Sequence, residues 1–284
     1  MPPLLRLLRP LNLVLSLVGI AVGGILAVGD AVFDAPASLH LLLSMVSGAL
    51  VGAASNACND VIDVDIDRRN RPDRPVASGA VSPEAAKAVW IGLSVIGVVL
   101  AGLVSWGVGA VALGSALLLW LYNVHLKGTP GWGNLVVAFV IALALVYGAL
   151  AVGPITSTVA VGVGMTFLIT LAREIVKDVE DVEGDGAEGA RTLAVTKGAW
   201  WTSRLALGLI GLTLVLLPLP SITLVGTSFL AYGLVCAGCL LAAAWALATV
   251  DPSAMRPAAS SARGWLKGAM AAGVLALALA RLAG

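Results

Sequence analysis

Apolar residues run in long, nearly uninterrupted stretches along the whole chain, and short polar segments separate them. A helix needs about 20 residues to cross a hydrocarbon layer roughly 30 Å thick, and stretches of that size recur. Nine are readable, over residues 11–28, 38–58, 84–106, 108–123, 133–151, 155–177, 199–217, 221–249 and 262–282. In this reading only Trp106 and Gly107 part helices three and four. The pattern predicts an all-α, polytopic membrane protein with nine transmembrane helices.

Positive charge gives these spans a direction, because Lys and Arg stay on the cytoplasmic side of short loops. Of the 17 Lys and Arg residues, all but Arg281 fall at the N-terminus, in the even-numbered loops or at their flanks. The N-terminus is therefore expected inside and the C-terminus outside a cytoplasmic membrane. The opening MPPLLRLLRP resembles the start of a signal peptide, but the apolar run after it lacks a small-residue cleavage site. It is read as the retained first span.

Composition agrees: 59% of the 284 residues are hydrophobic, 12% are charged, and the mean hydropathy is +0.99. Soluble domains are far less apolar. The net charge of +1 follows the topology and implies no nucleic-acid partner. Cys58, Cys236 and Cys239 are too few for a disulfide framework, and the last two fall inside apolar helix eight as buried thiols.

Against this background two acidic segments stand out, NACNDVIDVDID (56–67) and REIVKDVEDVEGD (173–185). Asp60, Asp63 and Asp67 have the spacing i, i+3, i+7, and Asp178, Asp181 and Asp185 repeat it, each 118 residues after its counterpart. The repetition points to two matching half-sites in one domain, with a four-helix repeat over about 1–125 and 126–250 plus a ninth helix. At about 100° per residue the three acids of each set share one helix face. In the first set Asn59 joins that stripe, whereas Asp65 points away toward solvent or a nearby Arg.

Carboxylates stacked at a membrane boundary repel one another and need cations. Oxygen donors without His or Cys select Mg²⁺ or a similar hard ion, which keeps part of its water and bridges carboxylates to phosphates. A diphosphate is the natural third partner, and interleaved bases are candidates to hold its oxygens: Arg71 and Arg74 after the first motif, Arg173 and Lys177 within the second. For each, a positive-inside anchor is the alternative reading.

Other enzyme and transport classes fit less well. CDP-alcohol phosphotransferases order Asp-Gly and Ala-Arg in a pattern absent here. A cation transporter would place acids near mid-membrane on broken helices, whereas both acidic groups here lie at one surface.

With these residues in view, the chain resembles the UbiA-type intramembrane prenyltransferases over nearly its whole length. Asn59-Asp60-x-x-Asp63-x-x-x-Asp67 matches that family's NDxxDxxxD motif, and Asp181-x-x-x-Asp185 its DxxxD motif after the sixth helix. The resemblance implies helices around a central cavity under Asp-rich cytoplasmic cap loops. Asn59, Asp63 and Asp67 on one side and Asp178, Asp181 and Asp185 on the other would bind Mg²⁺ and an isoprenyl diphosphate, with the tail in an apolar tunnel open to membrane lipid. All six aspartates, Asp60 included, are thereby catalytic candidates.

Within the family, LRPLN, NRPDRPVASG and REIVKDVEDVEGD are most similar to the archaeal enzymes that form the second ether of membrane lipids. That similarity implies geranylgeranyl diphosphate as donor and the lipid-like 3-O-geranylgeranylglyceryl phosphate as acceptor, with no protein partner. The homogentisate prenyltransferases share the KDxxDxEGD pattern, so a homogentisate- or 4-hydroxybenzoate-like ring is the alternative acceptor. Tyr122, Asn123, His125 and Lys127, at the cytoplasmic end of helix four, are either contacts to that acceptor or interfacial caps.

Overall fold

A computed structural model describes residues 2–187, 189–220, 228–251 and 254–283, and among them there is no strand. A short helix α1 (Pro3–Leu8) leads into α2 (Pro10–Val28) and a 3-10 turn (Gly29–Phe33). Helix α3 (Ala37–Ile62) is followed at once by short α4 (Val64–Asn70), and then come α5 (Pro83–Val104) and α6 (Trp106–Leu121). A π-helical turn (Tyr122–Leu126) extends α6, and α7 (Trp132–Val152) and the long α8 (Ser157–Ala187) follow. The chain closes with short α9 (Leu193–Lys197), α10 (Ala199–Leu216), α11 (Ser228–Ala248) and α12 (Met255–Ala283).

Among the described residues, eight helices are long and apolar enough to cross a membrane, and Gly233–Ala248 of α11 is a shorter apolar helix. The expected span 221–249 lies partly outside the described residues. The outer surface is apolar: Leu103, Val215 and Trp245 are 71%, 74% and 71% exposed, an arrangement suited to lipid and costly in water. The protein is an integral membrane protein.

Two boundaries differ from the sequence reading. Helices five and six part at Ser105 rather than after it, because the Ser105 hydroxyl accepts the Val108 N–H at 3.2 Å and caps α6. Helix α12 starts at Met255, seven residues before the expected span, since its first turns lie beyond the apolar stretch. Ser82 caps the start of α5, accepting the Ala85 N–H at 3.1 Å ahead of Pro83.

Lipid offers little hydrophobic drive between spans, so small residues and buried hydrogen bonds join them. Helices α2 and α7 touch backbone to backbone: a Cβ on Gly148 would lie 1.8 Å from the Ile20 carbonyl oxygen, and one on Gly23 2.1 Å from that of Leu145. Deeper in the bundle the Ser47 hydroxyl lies 2.6 Å from the Tyr147 hydroxyl and 2.7 Å from the Gly97 carbonyl oxygen, linking α3, α5 and α7. These contacts hold the ends of α3 and α8, which carry the two acidic motifs, around a common space.

Candidate functional site

The first motif straddles the junction of α3 and α4. Asp63 leaves helical geometry (φ −87°, ψ 7°), yet the Asp63 N–H still reaches the Asn59 carbonyl at 2.9 Å and the Asp67 N–H the Asp63 carbonyl at 2.8 Å. The stripe therefore survives the break, and Asp60, Asp63 and Asp67 are only 2%, 6% and 4% exposed. Asp65 points outward and pairs with Arg68 at 2.9 Å.

Burying three carboxylates requires counter-charge close by. Arg9, between α1 and α2 with a left-handed backbone (φ 50°), makes a short ion pair with Asp60 and lies 3.3 Å from Asn59 Oδ1. Arg74 lies 2.5 Å from Asp67 and 3.8 Å from Asp60. Lys127 reaches in from beyond the π-turn and pairs closely with Asp63. The Asn59 amide donates to Asp63 at 2.9 Å and to Asn123 Oδ1 at 3.1 Å, tying the motif to that turn.

The second motif is built differently. Helix α8 runs unbroken past its acids to Ala187, and a cavity of about 460 Å³ opens on that face. Asp178, Asp181 and Asp185 line it from α8, while Asp63, Tyr122, Asn123 and Lys127 line it from the other side. Asn134 on α7, a buried amide without an assigned role in the sequence, donates to Asp178 at 3.1 Å. On another face of α8, Glu180 and Glu183 pair with Arg263 and Arg256 of α12 at 3.0 and 2.6 Å.

Beside this polar cavity lies a mostly apolar one of about 340 Å³ between α2, α3, α6 and α7, lined by Ile20, Gly48, Ala112, Ile141 and Tyr147. Val137 lines both. Asn123 stands at the junction, donating to the Leu119 carbonyl at 2.9 Å and lying 3.4 Å from Ser55, both residues of the apolar cavity.

Asn59, Asp60, Asp67 and Arg74 pair with one another and with Arg9 and do not line the cavity, and three further expected residues are placed elsewhere. His125 is exposed and absent from the cavity wall, because residues two apart on a helical turn face opposite ways and Asn123 and Lys127 take the inward positions. Arg71 is exposed, and Arg173 lies 2.5 Å from Glu174 instead of lining the cavity. Sequence reasoning in turn missed Glu174, an 8% exposed cavity residue one turn before Asp178, which the i−4 spacing alone would have found. It also took Arg9 for a membrane anchor only, and no local signal marks its reach to Asp60.

The donor set suits Mg²⁺: every acid is a hard oxygen ligand. Among the described residues no three His, Cys, Asp or Glu side chains converge closely enough to cage an ion by themselves. Acids on opposite walls of a wide cavity suit instead an ion that shares its shell with water and phosphate oxygens.

An all-helical bundle with facing aspartate motifs above an apolar cavity defines a class of membrane transferase. Residues 16–281 match the UbiA prenyltransferase family, and the chain belongs to that family. It is similar to a digeranylgeranylglyceryl phosphate synthase of Natronomonas pharaonis, 38% identical over 282 residues that cover 99% of this chain and 97% of the relative. A digeranylgeranylglyceryl phosphate synthase of Metallosphaera sedula is 42% identical over 248 residues, 86% of this chain and 84% of the relative. Among solved structures, one of digeranylgeranylglyceryl phosphate synthase in membranes superposes with a TM-score of 0.84 at 28% identity, covering 99% of this chain and 98% of its own. A UbiA homolog from Archaeoglobus fulgidus bound to GPP and Mg²⁺ shares the fold at a TM-score of 0.74 and 19% identity, over 95% of this chain and 99% of its own.

Proposed function

We propose that this protein is a Mg²⁺-dependent prenyltransferase that moves a geranylgeranyl group from geranylgeranyl diphosphate to the free hydroxyl of 3-O-geranylgeranylglyceryl phosphate, forming the second ether of an archaeal lipid. The observation that carries the reading is the pairing of cavities, one polar and walled by acids of both motifs, the other apolar and reaching into the bundle. Such a pair suits a substrate with a diphosphate head and an isoprenyl tail. The relatives named digeranylgeranylglyceryl phosphate synthase support the choice of acceptor.

Asp63 on one wall and Asp178, Asp181 and Asp185 on the other would hold Mg²⁺, with Asn59 and Asp67 of the first motif adjoining Asp63, and the ion would supply positive charge to stabilise the departing diphosphate. Of the bases expected at the diphosphate, Lys177 lines the cavity and contacts it, while Arg74 acts from behind by holding Asp67. Asn134 orients Asp178, and Arg9 holds Asp60 in place. The apolar cavity keeps water from the allylic carbon as its bond to the diphosphate oxygen breaks and the bond electrons leave with the diphosphate. The glycerol hydroxyl oxygen then bonds that carbon, and its proton leaves to a cavity carboxylate or to the departing diphosphate. Tyr122, Asn123 and Lys127 border the space where the acceptor approaches. With 16 of the 17 basic residues on the motif side of the spans, the cavity faces the cytoplasm.

Purified protein in detergent, given Mg²⁺ and labelled geranylgeranyl diphosphate, tests this. We expect label in the glyceryl phosphate product, none with homogentisate or 4-hydroxybenzoate, and none in EDTA. Label in an aromatic product would move the acceptor assignment, and turnover in EDTA would remove the metal from the reaction.

A further inference from the structure

Residues 189–192, which lead into α9, line the polar cavity and are pinned there. The Arg191 N–H donates to the Gly128 carbonyl at 2.8 Å, and the Ala190 N–H to the Asp185 carbonyl at 2.9 Å. Gly128 and Gly189, both with positive φ (75° and 74°), allow the two crossing segments to turn; a Cβ on Gly128 would already touch that of Ala190 at 3.4 Å. This crossing sets Arg191 and Thr192 in the cavity wall beside Lys127.

Thr192 is the unexplained member. It is 8% exposed, and its hydroxyl has no hydrogen-bond partner although it precedes α9, where such a side chain ordinarily caps. A buried polar group left unpaired costs about 1–3 kcal/mol, and Thr192 belongs to the cavity wall, so its orphan hydroxyl marks a place for a ligand oxygen. The neighbouring Thr129 differs, because its hydroxyl already donates to the Leu126 carbonyl at 2.6 Å. A guanidinium, a free hydroxyl and an ammonium together are an acceptor-poor, donor-rich set that matches a phosphate monoester. None of the three belongs to either aspartate motif.

We propose that Arg191 and Thr192, with Lys127 between them and Asp63, form the binding site for the phosphate of the acceptor, in the same cavity as the metal and diphosphate but on different residues of its wall. The inference rests on the glyceryl phosphate reading above, since an aromatic acceptor carries no phosphate. It places recognition of the acceptor on the loop after α8, and recognition of the donor on the helices.

The test measures binding without turnover, in EDTA and without donor, by titrating the detergent-solubilised protein with geranylgeranylglyceryl phosphate and with geranylgeranylglycerol. The intact protein is expected to favour the phosphate form by about tenfold or more, the worth of a charge-assisted hydrogen bond. In the double variant Arg191→Gln, Thr192→Val that preference disappears while the alcohol binds as before, and Thr192→Ser restores the part due to the hydroxyl. In turnover assays the double variant raises KM for the acceptor and leaves KM for geranylgeranyl diphosphate unchanged. A phosphate preference that survives in the double variant, or a parallel rise in both KM values, overturns the site. If the intact protein prefers the phosphate form yet transfers no prenyl group to it, the proposed reaction fails and the site stands. If it transfers normally and the double variant does too, the site fails and the reaction stands.

Discussion

The two aspartate motifs have the same spacing but opposite surroundings. In the first, the helix breaks at Asp63, and two of its three acids are consumed inside the protein, Asp60 by Arg9 and Asp67 by Arg74. In the second, the helix runs straight through, and all three acids line the cavity while other acids of α8 are tied to α12. Equal sequence patterns thus acquire unequal duties: one motif is half framework and half site, the other is site on one face and framework on another. The lesson is that spacing places carboxylates on a face, whereas the neighbours of that face decide whether they are available to a ligand.

The largest expected effects fall on acids that face the cavity. Asp181→Ala, and equally Asp63→Ala, is expected to reduce turnover by about a thousandfold or more, the range for loss of transition-state charge stabilisation. Tm in detergent should hold for Asp181→Ala; a variant that keeps activity would show that the cavity acids do not share a metal site.

Next come the bases of the first motif. Arg9→Gln leaves Asp60 buried beside only the more distant Arg74, and is expected to destabilise the protein by about 3 kcal/mol and lower Tm before any effect on the second motif is felt. Lys177→Gln, the corresponding change in the second motif, is expected to raise KM for the diphosphate donor with little change in Tm, because Lys177 lies 3.9 Å from Glu174 and is 44% exposed. Equal Tm losses from the two variants would erase the distinction between framework and site.

The α2–α7 contact joins the helix ahead of α3 to the helix ahead of α8, and α3 and α8 bear the acidic segments. Gly148→Ala drives a methyl group into the Ile20 carbonyl and is expected to cost about 1–3 kcal/mol, with activity and Tm falling together. Unchanged melting would mean that the helices part freely. The smallest effect belongs to Asp65→Ala, whose partner Arg68 is also exposed: turnover and Tm should match those of the parent protein.

Much of this was readable in advance for a physical reason. The spans and the shared face of Asp60, Asp63 and Asp67 follow from local periodicity, which a chain in lipid must obey because its backbone has no water to bond. Local rules also placed Asp65 outside the stripe. They were not applied within YNVHLKG, where Asn123 and Lys127, four residues apart, face the cavity and the exposed His125 faces away from it.

By itself, then, the sequence determined the all-helical membrane architecture, the two aspartate motifs and the hard-ion chemistry of their side chains, since these depend on residue type and spacing along one helix. Only the tertiary structure decided which charges meet. Arg9 and Asp60 are 51 residues apart, and Lys127 and Asp63 are 64 apart, so no local pattern pairs them. The same holds for the junction of the polar and apolar cavities at Asn123 and for the orphan hydroxyl of Thr192 under a crossing loop. A buried charge takes whichever counter-charge the fold brings within reach, and that choice is made by packing between distant segments.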